Sequence, residues 1–355
     1  MRSLKRARWL WLDFPKVRLP LWVNQKPNFE RLVKMIKYVF KRILLMLVAL
    51  FCITTICFVL IRALPMSPPE GATEAQKQQI EDIWNARGYD EPLLVQYGIY
   101  LKGIFTEFDF GTSWVIKKTA PAWDLLVGRL LPTVLVNLYS LLFAVPLGIL
   151  FGIYAAIKKN KWQDHLISVM VILFVSVPSY VYAFLVQYFL YFKLDWFPPV
   201  ISSLADAGGT WFSWTMFHSM IPPILALSFG QIAGLCRFTR AELTETLTSD
   251  YMLLARTKGL TRSQATTRHA LKNAMVPILP SILGSFVGIL GGSLIIEQIF
   301  SIPGVGALYT QSIFSRDYDV FMMDCIFYTA IGLLSGIIID ISYGFIDPRI
   351  RMGER

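Results

Sequence analysis

The sequence predicts an all-α membrane protein with six membrane-spanning helices, and three observations support this. Of 355 residues, 55% are hydrophobic and 16% are charged, whereas about a quarter of residues are charged in a soluble domain. Six stretches are long and apolar enough to cross a bilayer, which takes about 20 residues. Lysine and arginine are distributed unevenly between the connecting segments. This composition disfavours a soluble enzyme and excludes a disordered chain.

The six predicted spans are helices because a segment in hydrocarbon must satisfy its own backbone polar groups. The uncharged stretch 298–315 is not counted as a span, since residues 301–306 have turn-forming proline and glycine. The first apolar run begins too late for a signal peptide, and no small-residue cleavage site follows it. The predicted spans are 43–61, 130–157, 166–192, 219–236, 273–296 and 320–346.

The charge distribution predicts that both termini are cytoplasmic. Of the 34 lysines and arginines, 25 lie in the N-terminal segment, in the second and fourth connections and in the tail, and 9 lie elsewhere. Segments rich in positive charge stay in the cytoplasm. The N-terminal arm either lies on anionic lipid or is a solvated tail. The predicted organisation is a basic cytoplasmic arm (1–42), a transmembrane domain (43–346) with an extracytoplasmic loop (62–129) and a cytoplasmic loop (237–272), and a cytoplasmic tail (347–355).

Glycines at four-residue spacing allow helices to approach closely in lipid. Gly284, Gly288 and Gly292 lie in register on the fifth predicted span. We expect them to form a packing seam, either an interface with a partner subunit or a seam along which helices slide, with static packing inside one bundle as the alternative. Gly148 and Gly152 share this spacing on the second span, where static packing within the bundle is the better interpretation.

Charged residues are rare within the spans. Glu297, Asp324 and Asp340 lie near the ends of the fifth and sixth spans. An ionisable residue in a span is a functional candidate by default, but positions near the interfaces favour structural roles. Because no series of acids crosses the middle of the membrane, an ion-coupled carrier is disfavoured.

The sequence contains no phosphate-binding loop and no His-Glu-x-x-His motif, and its three histidines are scattered. Its four cysteines form neither a disulfide framework nor a zinc pattern. The basic charge of so apolar a chain indicates membrane topology rather than nucleic-acid binding. We therefore predict no catalytic residues, no metal site and no enzymatic activity.

The cytoplasmic loop contains an amphipathic helix. Leu243, Leu247 and Leu254 share a helical face with Tyr251 beside them, and Gly259 ends the helix. Such a helix can dock in a groove of another protein or rest on the membrane surface. The pattern alone leaves both interpretations open.

The same loop carries a specific motif. Residues 250–259 read Asp-Tyr-x-x-x-Ala-Arg-x-Lys-Gly, and residues 268–277 read Arg-His-Ala-Leu-Lys-Asn-Ala-x-x-Pro. The loop resembles the coupling loop of ATP-binding-cassette (ABC) importer permeases in the dipeptide, oligopeptide and nickel branch. The Leu-Leu-Ala at 253–255 departs from the general Glu-Ala-Ala pattern but fits this branch.

Further segments resemble the same family, and the resemblance covers residues 37–352. They are Arg-Ala-Leu-Pro (62–65), Phe-Asp-Phe-Gly-Thr-Ser (108–113), Arg-Leu-Leu-Pro-Thr (129–133), Glu-x-x-Phe-Ser-x-Pro-Gly-x-Gly (297–306), Arg-Asp-Tyr (316–318) and Asp-Pro-Arg (347–349).

The resemblance implies a type I ABC importer permease bundle in a bacterial or archaeal plasma membrane. It implies a second homologous permease, two cytosolic ATPase subunits that bind ATP and Mg, and an extracytoplasmic solute-binding protein, with no cofactor bound by this chain. The implied cargo is peptide, with nickel or a nickel chelate as the alternative and ion-coupled transport less favoured.

The resemblance also implies residue roles. Ala255 would allow a partner to approach closely, and Gly259 would reverse the chain. The implied ATPase contacts are Asp250, Tyr251, Ala255, Arg256, Lys258 and Gly259. The implied outer gate or binding-protein contacts are Glu297, Pro303, Gly304 and Gly306.

Overall fold

The computed structural model describes residues 28–64, 73–86 and 88–346. Every regular element among them is helical, and one isolated bridge joins Thr112 and Pro121. This confirms the all-α prediction. The helices are α1 (Asn28–Arg62), α2 (Glu74–Ala86), α3 (Leu93–Glu107), α4 (Ala122–Ile157), α5 (Trp162–Ser176), α6 (Ser179–Gln187), α7 (Trp214–Leu247), α8 (Asp250–Thr257), α9 (Arg262–Ala265), α10 (Leu271–Gly288), α11 (Leu294–Ile299), α12 (Val305–Phe314) and α13 (Tyr318–Ile346).

The long helices run between two ends of a bundle, which we name the α8 end and the α12 end. At the α12 end, Leu126 near the start of α4 packs in one cluster with Leu308 of α12. At the α8 end, Ala156 near the end of α4 packs in another cluster with Ala255 of α8. The two ends therefore lie at opposite ends of α4.

Five helices in the described part of the chain are long and apolar enough to cross a membrane, or six if one bent pair counts as a span. The bent pair is α5 and α6, which meet at 100°. Val177 between them is extended, with φ −89° and ψ 129°, because the ring of the following Pro178 disfavours helical backbone at the residue before it. The predicted third span (166–192) is therefore not one straight helix.

The first span begins earlier than predicted. Because α1 starts at Asn28, the last part of the predicted arm, residues 28–42, is helix continuous with the first span. The rest of the arm and the predicted tail (347–355) lie outside the described residues. The predicted loop 62–129 contains two helices, α2 and α3, and the beginning of α4.

The fourth and fifth spans also differ from their predictions. Helix α7 continues beyond Cys236 to Leu247, so the first part of the predicted loop 237–272 is helix. The predicted span 273–296 is interrupted, since α10 ends at Gly288 and Gly292 has φ +62°. Positive φ is incompatible with continuing a right-handed helix, so Gly292 does not lie in register with Gly284 and the predicted three-glycine seam is wrong.

The remaining glycines of these motifs have different surroundings. A Cβ atom on Gly284 would overlap Ile339 of α13, so Gly284 packs within this chain and not against a partner. Gly288 has open space around its Cα. On α4, a Cβ on Gly148 would lie 2.9 Å from Leu235, and one on Gly152 would lie 2.8 Å from the carbonyl of Cys236, both in α7. Their predicted role in static packing is confirmed.

Candidate functional site

Helix α8 lies across the end of the bundle, and one of its faces is buried by the chain itself. Met252 is 4% exposed and Ala255 is 6% exposed. Both belong to a cluster with Leu243 of α7 and with Ala265 and Ala274 beyond α8. Small alanine side chains let these helices approach closely. In this conformation the Ala255 side chain therefore faces its own bundle, and its predicted contact with an ATPase stays a prediction.

The opposite face of α8 carries exposed apolar groups. Tyr251 is 37% exposed, Leu253 is 64% exposed and Leu254 is 56% exposed. Arg256 and Lys258 lie exposed beside them. We call these five residues the coupling face. Of the predicted ATPase contacts, Asp250, Tyr251, Arg256, Lys258 and Gly259 are exposed in the structure.

Leu254 does not share a face with Leu243, contrary to the sequence prediction. Leu243 is fully buried, whereas Leu254 points away from the bundle. The helical repeat does not continue from one to the other, because α7 ends at Leu247 and Ser249 is extended at φ −76° and ψ 155°. This break turns α8 and exposes Leu254, which a continuous helix would place on the same face as the buried Leu243.

Gly259 closes the end of α8 and reverses the chain, as predicted. Its φ is +88°, a conformation that favours glycine because it has no Cβ atom. The N–H of Gly259 donates to the carbonyl of Arg256 at 3.0 Å, and the N–H of Leu260 donates to that of Ala255 at 3.3 Å. This pair of hydrogen bonds is the Schellman motif. Gly259 is therefore required by backbone conformation, and a Cβ there would meet nothing within 4 Å in this chain.

A partly buried ion pair, not predicted from the sequence, fixes α7, which packs against α8. Arg240 of α7 donates to both carboxylate oxygens of Asp164, from Nε at 2.6 Å and from Nη2 at 2.8 Å. The N–H of Asn160 donates to the same carboxylate at 2.9 Å. Asp164 is 1% exposed. Together these bonds join the start of α5 and the turn before it to α7.

The α12 end contains a second buried carboxylate, Glu297 of α11. Thr133 Oγ1 donates to Glu297 Oε1 at 2.9 Å, and the N–H of Ala307 donates to Oε2 at 3.0 Å. The N–H of Val305 donates to Thr133 Oγ1 at 2.9 Å. Burial raises the pKa of Glu297 above its ordinary value, while these hydrogen bonds act in the opposite direction. Glu297 thus joins α4, α11 and α12.

Three of the four predicted gate or binding-protein contacts are buried. Glu297 is 2% exposed, and Gly304 and Gly306 are also buried. A Cβ on Gly304 would overlap the carboxylate of Glu297 and the hydroxyl of Thr133. In this conformation these three residues offer no exposed surface to a binding protein, while their role in an outer gate stays a prediction. Pro303 is half-buried and remains a candidate contact.

Two segments that the sequence analysis quoted separately meet at the α12 end. The carboxylate of Asp317 is fully buried and accepts from Ser113 Oγ at 2.6 Å. It also accepts from the backbone N–H groups of residues 114–116 at 3.1 to 3.2 Å. The turn before α13 is thereby fixed to the segment before α4. The sequence signal was present, since both segments belong to family-like motifs, but nothing in it indicated their contact.

Asp319, two residues further, binds the same region. It accepts from the Tyr89 hydroxyl at 3.0 Å and from the N–H of Thr112 at 3.1 Å. Arg62 Nη2 at the end of α1 lies 3.9 Å from its carboxylate. Gly111 has φ +104°, and a Cβ there would lie 2.6 Å from Asp319. Asp317 and Asp319 therefore close the α12 end across α1, α13 and the segment before α4.

The site offers docking surfaces rather than a constellation of reacting groups. Within residues 28–64, 73–86 and 88–346, no three His, Cys, Asp or Glu side chains come together as potential metal ligands. The chemistry available at the α8 end is apolar contact by Tyr251, Leu253 and Leu254, with positive charge beside it. This is the arrangement expected of a protein-binding surface.

Comparison with known proteins agrees with this arrangement. The family described as "Binding-protein-dependent transport system inner membrane component" matches residues 148–352, and its N-terminal counterpart matches residues 35–134. The first match contains the coupling face, and the second contains α2, α3 and the part of α1 from residue 35 onward.

Individual relatives are similar over nearly the whole chain. The dipeptide transport system permease protein DppB of Lactococcus lactis is 37% identical over 90% of this chain and 100% of its own length. DppB of Bacillus subtilis is 34% identical over 90% of this chain and 100% of its own. The glutathione transport system permease protein GsiC of Escherichia coli K12 is 32% identical over 89% of this chain and 99% of its own length. The chain therefore belongs to the binding-protein-dependent transport system inner membrane components, in the dipeptide and oligopeptide branch of the ABC importer permeases.

Proposed function

We propose that this chain is one of two permease subunits of an ATP-driven peptide importer. It forms half of the translocation path, with a second, similar permease forming the other half. Two cytosolic ATPase subunits bind ATP and Mg, and one of them docks on α8. Its ATP-driven closure moves α8 and converts the bundle between two arrangements, which requires that ATP favours one of them.

The coupling face is the observation on which this proposal rests. Exposed leucines on a short helix at the end of the bundle lose water-accessible apolar surface when a partner covers them, which is favourable. The buried side of α8, with Met252 and Ala255 packed in the bundle, supports the helix rigidly. The Schellman motif at Gly259 and the Asp164–Arg240 ion pair add further constraint. A rigid support lets movement of a docked partner reach α4, α7 and α10.

The proposed topology places the α8 end in the cytoplasm and the α12 end outside. The excess of lysine and arginine in the predicted cytoplasmic segments supports this orientation. A solute-binding protein then delivers cargo at the α12 end, where the half-buried Pro303 is available for contact. Similarity to dipeptide and glutathione permeases favours peptide cargo over a nickel chelate.

Substitution of the coupling face tests the proposal. Burying one leucine contributes about 1.5 to 3 kcal/mol, and about 1.4 kcal/mol changes affinity tenfold. We expect Leu254→Asp to reduce recovery of the ATPase subunits with this chain at least tenfold, and to reduce ATP-dependent peptide uptake in proteoliposomes correspondingly. Copurification followed by radiolabelled peptide uptake measures both effects.

The matched control is Leu204→Asp, because Leu204 is also an exposed leucine, at 40%, but lies in the connection before α7 and outside α8. It should leave ATPase recovery unchanged. Full ATPase recovery by Leu254→Asp would contradict the docking role of the coupling face. Peptide uptake by this chain alone, driven by an ion gradient without any ATPase, would contradict the proposed function as a whole.

A further inference from the structure

A cavity of about 590 Å³ lies between α4, α7 and α10. Small-molecule sites in proteins have volumes of about 300 to 1,000 Å³, so this cavity has room for a small peptide or a part of a longer one. Its apolar walls include Leu141 of α4, Phe238 of α7 and Ile282 of α10. Each of these three helices belongs to a different candidate membrane span.

Four polar side chains line the same cavity. Gln231 and Arg237 come from α7, and Ser281 and Ser285 come from α10. A mostly apolar cavity with a few convergent polar groups is the usual composition of a ligand site. Amide and hydroxyl groups can donate to and accept from peptide bonds, whereas the guanidinium of Arg237 matches a carboxylate.

Arg237 differs from its neighbour Arg240 in having no hydrogen-bond or ion-pair partner among the residues that the structure describes. Arg240, three residues further along α7, is bound to Asp164 at 2.6 Å. Within the described residues, Arg237 forms neither an ion pair nor a hydrogen bond, although it lines the cavity and is exposed. The sequence analysis counted both arginines among the residues that indicate a cytoplasmic loop. The extension of α7 to Leu247 instead places Arg237 on a helix wall of the cavity.

We propose that Arg237 binds the terminal carboxylate of a peptide during its passage through the translocation path. This inference rests on the proposed function, since it supplies the chemical feature by which that path would recognise peptide cargo. A peptide with a free C-terminus carries one terminal carboxylate whatever its sequence, so a single arginine can serve varied peptides. Because Arg237 is exposed to water, the contact is weak enough for release, as transport requires.

The test compares a dipeptide that has a free carboxylate with the same dipeptide as its C-terminal amide. Uptake is measured in proteoliposomes with the complete assembly of both permeases, the ATPases and the binding protein. The chosen pair must have equal measured affinity for the binding protein, which is kept saturating. For the parent protein we expect faster uptake of the free acid. In Arg237→Gln we expect uptake of the acid to fall about tenfold and that of the amide to change less than twofold.

Two variants sharpen the assignment. Arg237→Lys keeps the positive charge and should retain most of the preference for the acid. Lys159→Gln removes a positive charge from an exposed residue in the turn between α4 and α5, outside the cavity. It should leave both uptake rates unchanged, which separates a local effect from loss of net charge.

Three results would overturn the inference. If Arg237→Gln slowed uptake of the dipeptide acid and of its amide equally, Arg237 would not recognise the carboxylate. If neither uptake rate changed, Arg237 would not lie in the translocation path. Loss of the second permease from the purified assembly would show that Arg237 pairs with an acidic residue of that subunit. In each case the parent assembly would still import peptide with ATP, so failure of this inference is distinguishable from failure of the proposed function.

Discussion

The two ends of the bundle differ in whether their functional groups find partners within this chain. At the α12 end, Glu297, Asp317 and Asp319 are buried carboxylates whose hydrogen-bond partners come from distant parts of the same chain. At the α8 end, the coupling face carries leucines that no described residue covers. The buried carboxylates of the α12 end are thus satisfied within this chain, whereas under the proposed function a partner covers the exposed leucines of the α8 end. Substitutions should therefore alter stability at the α12 end and assembly at the α8 end.

The largest expected effect is at Gly259. Gly259→Val places a β-branched residue at φ +88°, where non-glycine residues are strained by about 1 to 2 kcal/mol or more. We expect the end of α8 to change conformation, so that ATPase recovery and ATP-dependent uptake fall below a tenth of the parent values. Copurification and peptide uptake measure these losses.

Two glycine controls accompany that variant. Gly259→Asn should be milder, because asparagine adopts positive φ more readily. Gly230→Ala should have little effect, since Gly230 lies within α7 and a Cβ there meets nothing within 4 Å. Normal coupling by Gly259→Val would remove the distinction between the two ends.

The next largest effect is a difference in thermal stability between substitutions at two buried aspartates, Asp317 and Asp324. Asp317 accepts from Ser113 and three backbone N–H groups, whereas neither carboxylate oxygen of Asp324 has a hydrogen-bond partner among the described residues. Asp317→Asn replaces one acceptor oxygen with an NH2 group and removes the charge that these donors bind, and hydrogen bonds to charged groups contribute about 1.5 to 3 kcal/mol. We expect Asp317→Asn to destabilise the protein by about 3 kcal/mol, seen as a lower melting temperature in detergent.

Asp324→Asn is the matched variant and should leave the melting temperature unchanged or higher, because it removes a carboxylate that is buried without a partner. Equal destabilisation by both substitutions would indicate that the hydrogen bonds of Asp317 are not what closes the α12 end.

A smaller effect is expected from the ion pair that supports α8. Hydrogen bonds to charged groups contribute about 1.5 to 3 kcal/mol. A double-mutant cycle with Arg240→Gln and Asp164→Asn should therefore give a coupling free energy of about 2 kcal/mol in thermal unfolding. A coupling near zero would mean that the pair does not fix α5 to α7. ATPase recovery should fall less than in Leu254→Asp, since the coupling face itself is unchanged.

Local sequence features determined which segments of this protein form helices, and tertiary packing decided which faces of those helices are buried. Apolar length was sufficient to locate the spans, although not their ends or breaks, and a single glycine predicted the end of α8, because hydropathy and backbone conformation are properties of short segments. Pro178 within the third predicted span accounts for the break between α5 and α6, but only the structure gives the angle of 100° between them.

Only the tertiary structure decided which side of α8 is buried, and it placed Ala255 inward and Leu254 outward. It also decided that Asp317 meets residues 113–116 and that Arg240 meets Asp164 while Arg237 lines a cavity. These partners are separated by many residues along the chain. Because the burial of a side chain and the choice of its partner depend on three-dimensional packing, no local pattern contains that information.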